Sequence, residues 1–351
     1  MPRARTRWIA RKCYAAWIAA LLVFPTLAHG RQAPSDNWTR VAPGGDTTCG
    51  LHTPYSFFHR DGADPSRLLI YFQGGGACWD WVSCSGTFDS RVEDDEPARF
   101  RGIFDRSNVQ NPFKDFAMVF VPYCTGDVHI GDASRKYGDD PSARPLAHRG
   151  YRNVAAVLAW LGGQKRTPKT VVVSGTSAGS YGALFHTPAI ARMFPKALIV
   201  MLGDSGVPLL NDTPKVLQTW GAAGVLARLW NEPPEAVLQQ PLRAAHLQVA
   251  RSTPSIRMAQ VTTDRDSVQL GFYLISGSPR GREVTYALLD DVRRAVPAFR
   301  SFVLDGADHG LFPTDAFYRY QVNGAYLKDW VGRLIRGEAV DDVRCAGCAV
   351  K

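Results

Sequence analysis

Long apolar runs are missing from this chain. The run at 15–24 covers about ten residues, half of the roughly 20 that a membrane-spanning helix needs, so a polytopic membrane protein is excluded. Also missing are a Pro/Ser-rich linker, an internal repeat and a low-complexity segment. Nothing therefore divides the 351 residues, and one large domain over 31–351 is expected. Acidic residues are in the minority, with 32 Asp+Glu against 41 Lys+Arg and a formal charge of +9. That excess is local. Arg3, Arg5, Arg7, Arg11 and Lys12 precede the apolar run, and the small residues Ala28 and Gly30 follow it, the layout of a secretory signal over 1–30. An uncleaved N-terminal anchor is the alternative. Cleavage near Gly30 leaves 36 basic against 32 acidic residues, a net of +4 with no membrane span, which gives no reason to expect a nucleic-acid partner. The expected location is secreted or periplasmic.

Cysteine is scarce, at seven, and Cys13 leaves with the signal. The remaining six, Cys49, Cys78, Cys84, Cys124, Cys345 and Cys348, are an even number in an exported chain, which favours disulfides. Cys345 and Cys348 form a C-x-x-C without the second pair a zinc finger requires and without a following βαβ unit. A bridge pinning the tail is the expectation.

Near-continuous β-branched and aliphatic runs at 67–73, 116–122, 170–174, 197–203, 256–262 and 299–304 read as strands buried on both faces. Helical periodicity lies between several of them, at 151–161, 181–193 and 283–296, and a last helix is predicted over about 315–336. Alternation of this kind predicts an α/β fold with a mostly parallel, doubly wound sheet flanked by helices, α/β-hydrolase-like. The amphipathic stretch 211–250 is either a helical cap over the site or a pair of packing helices.

Gly175-Thr176-Ser177-Ala178-Gly179 is a G-x-S-x-G between a valine-rich strand and a helical run, the setting in which a serine becomes an exposed nucleophile on a strained turn. Oxyanion donors are then expected from Ala178 and from Gly75 and Gly76 of the glycine-rich loop after the 67–73 strand. That loop lacks a Walker lysine and the G-x-G-x-x-G spacing, which argues against phosphate binding. Three histidines follow the elbow. His186 falls in the helix leaving it and His246 in the 211–250 stretch, whereas His309 sits in a polar loop after the last strand and is the expected base. Asp204, Asp264 and Asp266 all follow strands, and spacing does not separate them as the acid.

Taken together, Tyr71–Cys78, Pro122–Gly131, Gly175–Gly179, Asp204-Ser205-Gly206 and Asp266-Ser267-Val268-Gln269 resemble the pectin acetylesterase and Notum family of secreted serine carboxylesterases, in a bacterial-type member. The resemblance implies Asp266 as the acid, bridges Cys78–Cys84 and Cys49–Cys124, and hydrolysis of O-acyl esters, acetyl above all and carbohydrate-borne in some members. It calls for neither a metal nor an organic cofactor. Departures from the plant members, Ala77 before Cys78 with Trp79 after it, and Thr176 in the elbow, leave the triad chemistry intact and bear on the substrate. Trp79, Asp127 and His129 are the candidate pocket residues, with a structural role as the alternative for the last two. Two rival functions are a Notum-like removal of long acyl chains and a catalytically silent binding module.

Overall fold

The apolar runs become strands because only a two-sided core can bury them. The computed structural model describes residues 37–86, 88–139, 144–207, 213–239, 245–253, 255–275 and 281–345. The expected signal, Cys13 and Cys348 lie outside these. In chain order come β1 (Thr39–Val41), β2 (Phe57–Arg60), β3 (Asp64–Phe72), α1 (Trp81–Cys84), β4 (Phe116–Val121), the hairpin β5 (Ala133–Arg135) and β6 (Leu146–His148), and α2 (Gly150–Gly163). Next are β7 (Thr170–Thr176), α3 (Ala178–Met193), β8 (Leu198–Asp204), α4 (Thr213–Thr219), α5 (Ala223–Trp230), α6 (Pro234–Gln239), α7 (Ala245–Ser252) and β9 (Arg257–Thr263). The remainder is α8 (Ser267–Ile275), α9 (Gly281–Ala295), β10 (Phe299–Leu304), the hairpin β11 (Gln321–Val322) and β12 (Ala325–Tyr326), α10 (Leu327–Ile335) and β13 (Val343–Arg344).

Nine strands make one sheet in the order β1-β2-β4-β3-β7-β8-β9-β10-β13. From β4 to β13 every pairing is parallel, and the antiparallel β1 and β2 close one edge. Successive side chains of a strand point to opposite faces, so Leu68, Ile70, Phe72, Val171, Val173 and Met201 enter one core while Leu69, Tyr71, Val172, Val200 and Leu202 enter the other. Helices cover both. Val154, Val157 and Leu161 of α2 lie at helical spacing on the first face, and Leu327, Trp330, Val331 and Leu334 of α10 on the second. The result is a doubly wound sheet whose parallel strands all deliver their C-terminal ends to one edge.

Two sequence expectations change in detail. The predicted 315–336 helix is a 3-10 turn at Asp315–Tyr318, the β11–β12 hairpin, and only then α10. Asn323 and Gly324 adopt φ of 50° and 81°, the left-handed pair that a tight hairpin turn demands, and this turn breaks the helical period. The 211–250 stretch supplies α4 to α7, which pack on the flank of α3 through buried Trp220, Leu226, Trp230 and Val249. None of their described residues lines the cleft described below.

Disulfides join Cys49 to Cys124 and Cys78 to Cys84. Cys345 is also disulfide-bonded, and the expected partner lies outside the described residues.

Burial holds four histidines neutral: it lowers the pKa of His129 to about 3 and those of His148, His186 and His246 to about 4. In the unfolded chain each takes up a proton near pH 6.5, so their contribution is fully present above that pH and is lost as pH falls toward 4. Buried Asp127, pushed up to about 6, acts oppositely and weakens the fold as pH rises from 4 to 6. The histidines outnumber it. Urea midpoints are therefore expected to fall between pH 7 and pH 5, each histidine contributing on the order of 1–2 kcal/mol. Among the described residues His246 has no hydrogen-bond partner on either ring nitrogen, so His246→Leu is expected to flatten that pH dependence without lowering the midpoint at pH 7.

Candidate active site

Parallel register sets which residues meet at the sheet edge. Phe72 pairs with Gly175, Thr176 with Asp204, Asp204 with Val261, and Thr263 with Leu304, so the loops after β3, β7, β8, β9 and β10 leave side by side. Ser177 stands between β7 and α3 with φ 57° and ψ −123°, a conformation a non-glycine residue adopts only when its surroundings impose it. A Cβ at Gly179 would collide with the carbonyl oxygen of Phe72, so glycine there lets α3 start directly against β3.

The three aspartates that spacing left open have different partners. Asp264 is ion-paired with Arg282 at 2.6 Å and accepts from Gly306 N at 3.1 Å. Asp204 accepts from Thr176 Oγ1 at 2.6 Å, Ser205 Oγ at 2.8 Å, Leu311 N at 2.9 Å and Phe312 N at 3.0 Å. Asp266 is the one that meets the imidazole: both its oxygens lie 2.9 Å from His309 Nδ1. Buried at the start of α8, it also accepts from Gln269 N and Gln269 Nε2, each at 2.9 Å, which hold the carboxylate in one orientation. With Nδ1 facing this carboxylate, Nε2 is the ring nitrogen left without a partner among the described residues.

Ser177 and His309 line one cleft of about 390 Å³ together with Gly74, Gly75 and Gly76. Among the described residues no hydrogen bond joins Ser177 Oγ to the His309 ring, although both line the same cleft. The N–H groups of Gly75, Gly76 and Ala178 have no acceptor among the described residues, Ala178 because it opens α3. They are free donors near Ser177.

Asp127 and His129 are not on the cleft wall. Asp127 accepts from Thr125 Oγ1 at 2.6 Å, Gly150 N at 2.8 Å and His129 N at 3.2 Å, pinning its own loop to α2. His129 Nε2 donates to Gln73 O at 2.9 Å, while Gln73 Oε1 accepts from Tyr123 N and Gly126 O from Cys78 N. The 123–131 block thus braces the glycine loop from behind. Trp79 packs near Phe272, with ring centroids 6.5 Å apart, behind the residues that line the cleft. Asp132 is held by Arg149 and Arg152, and among the described residues no cluster of three metal-ligating side chains occurs.

Sequence reasoning missed Asp89, Phe100, Val268 and Phe272, all on the cleft wall. Val268 and Phe272 are spaced by four on the helix that Asp266 opens, a signal that was readable. Asp89 and Phe100 lie in irregular chain and had none.

The pectinacetylesterase family profile matches residues 45–225, more than half of the chain. The chain belongs to this family. It is 26% identical over 172 residues to human palmitoleoyl-protein carboxylesterase NOTUM, covering 45% of this chain and 34% of that protein. It is 26% identical over 197 residues to Arabidopsis pectin acetylesterase 7, covering 54% and 49%. The matched regions thus span about a third to a half of these relatives' lengths. The solved Wnt deacylase Notum from Drosophila superposes with a TM-score of 0.64 at 16% identity, over 88% of this chain and 96% of that one. The fold is therefore the Notum-like α/β-hydrolase fold.

Asp204 ties the elbow to the loop that carries His309. Asp204→Asn replaces one acceptor oxygen with an NH2 that faces existing O–H and N–H donors, and a loss of about 1–3 kcal/mol in denaturant unfolding is expected.

Proposed function

We propose that this member of the pectinacetylesterase family is a secreted serine carboxylesterase that removes short O-acyl groups, acetyl above all, by a Ser177-His309-Asp266 triad. The observation that carries the reading is the meeting of an elbow serine, a carboxylate-held imidazole and free glycine-loop amides at one cleft. Ser177 Oγ attacks the acyl carbonyl as His309 Nε2 takes its proton, and Asp266 stabilises the imidazolium through Nδ1–H. The amides of Gly75, Gly76 and Ala178 take the oxyanion. Collapse of the tetrahedral species passes the proton to the departing alcohol. Water, activated by His309, then releases the acid and restores the serine.

A short acyl group is favoured by a recess of about 40 Å³ beside Ser177, walled by Tyr181, Phe272 and Tyr273. About 10–15 Å³ admits one water-sized group, so 40 Å³ takes an acetyl methyl or slightly more. The alcohol part of the substrate, carbohydrate in this reading, then occupies the larger open cleft. A long-chain deacylase is the second reading, supported by the apolar Phe100, Val268, Phe272 and Pro313 on the walls of that larger cleft. Secretion is supported by the N-terminal signal pattern and by two disulfides among the described residues, which belong in an oxidising compartment. Among the described residues no helix is long and apolar enough to cross a membrane.

Ser177→Ala and His309→Ala are each expected to lower nitrophenyl acetate turnover by about 10⁴-fold or more, and Asp266→Asn by about 10⁴-fold. Full activity in any of them removes that residue from the triad, and full activity in Ser177→Ala removes the mechanism. In a nitrophenyl ester series kcat/KM is expected to peak at C2, and Phe272→Ala to move the optimum to longer chains. A wild-type optimum at C8 or beyond selects the long-chain reading instead.

A further inference from the structure

Apart from the titratable His309, one described residue on the wall of the 390 Å³ cleft bears a formal charge, and it is Asp89. Its position is fixed by the glycine loop. Asp89 N donates to Gly75 O at 2.8 Å, and its Oδ2 lies so close to Gly75 that a Cβ there would sit 2.6 Å from it. The carboxylate therefore flanks the loop whose amides face the reaction. It is solvent-exposed, and no hydrogen bond to its side chain is formed among the described residues. The nearby cations have carboxylates of their own, Arg99 on Glu96 and Arg91 on Glu93. A chain with an overall positive balance thus places an unneutralised negative charge beside its nucleophile.

We infer that Asp89 is a specificity-determining residue that selects O-acyl esters of uncharged polyhydroxy alcohols, such as neutral sugars, over esters whose alcohol part carries a carboxylate. The inference rests on the esterase reading above, with the alcohol in the open cleft. An unpartnered carboxylate accepts hydrogen bonds from sugar hydroxyls at no cost to an existing bond. The same group repels a carboxylate on the ring next to the scissile ester, and most strongly at low ionic strength. Discrimination arises from the mismatched charge as much as from the matched hydroxyl.

The test uses two substrates that differ by one charge: an O-acetylated methyl hexuronoside as the free acid and as its methyl ester. Partial desolvation against the glycine loop and the adjacent Glu96 raise the Asp89 pKa from its ordinary value, so the assay is run at about pH 8 to keep it ionised. The readout is the ratio of kcat/KM for methyl ester over acid, which cancels any loss of folded enzyme. Wild type is expected to favour the methyl ester by about threefold to tenfold at low ionic strength, shrinking toward one in about 0.5 M salt. Asp89→Asn is expected to bring the low-salt ratio near one, and Asp89→Lys to invert it. A wild-type ratio of one or below, a ratio unmoved in Asp89→Asn, or rejection of both glycosides while nitrophenyl acetate is turned over would each overturn the role of Asp89. Absence of nitrophenyl acetate turnover in wild type would instead strike the esterase reading, and with it this one.

Discussion

Asp204 is a fully buried carboxylate at the C-terminal end of β8, and the geometry of the site hangs from it. Its oxygens accept from the elbow through Thr176 Oγ1 and from the His309 loop through Leu311 and Phe312 N, while its carbonyl accepts from Ser177 N at 2.8 Å. Burial pushes its pKa up, and these hydrogen bonds pull it back toward the charged form. One side chain thus orders the turn of Ser177 and the loop of His309 in the same frame. Neither is joined to the other by sequence, since positions 176 and 311 are far apart in the chain.

A second constraint acts on the oxyanion side. Glycines that leave amides free also leave the loop without rigidity of its own, so something else must hold it. The 123–131 block does this with His129 on the Gln73 carbonyl, Tyr123 on the Gln73 amide group and Gly126 on Cys78. His186 donates in turn to His129 O at 2.8 Å, and Trp220 Nε1 to Cys78 O at 2.7 Å, linking the brace to α3 and to the end of α4. Val128 and His129 both take positive φ, of 47° and 68°, strain that the surrounding bonds sustain. The bridges Cys49–Cys124 and Cys78–Cys84 fasten the two ends of this assembly.

The cleft has an unequal lining. A small, mostly apolar recess beside Ser177 is bounded by Phe272 and Tyr273. The larger cleft is wider, and among its described wall residues the one acidic side chain is Asp89, against the glycine loop. Excess positive charge suggests a polyanionic partner when only net charge is read, but local charge at the site is what a substrate meets.

Much of this was legible in the amino-acid sequence because it is carried by local pattern. Valine runs flanked by glycine mark buried strands, and the strand-turn-helix context of Gly175–Gly179 marks the elbow, since each depends only on neighbours in the chain. The last helix was misjudged over a hairpin whose Asn323-Gly324 signal was present but outweighed by apolar period. Which of three strand-end aspartates meets His309 was not a local property: Arg282 occupies Asp264 and the His309 loop occupies Asp204, and both partners arrive from remote sequence. The same is true of Asp89, an unremarkable residue in irregular chain until the fold sets it against Gly75. Sequence by itself determined the strands, the strand–turn–helix setting of Ser177 and the family resemblance, because periodicity and turn chemistry are short-range. Tertiary structure alone decided the partners of each carboxylate and the shape of the cleft, because those depend on which strand ends the parallel register brings side by side.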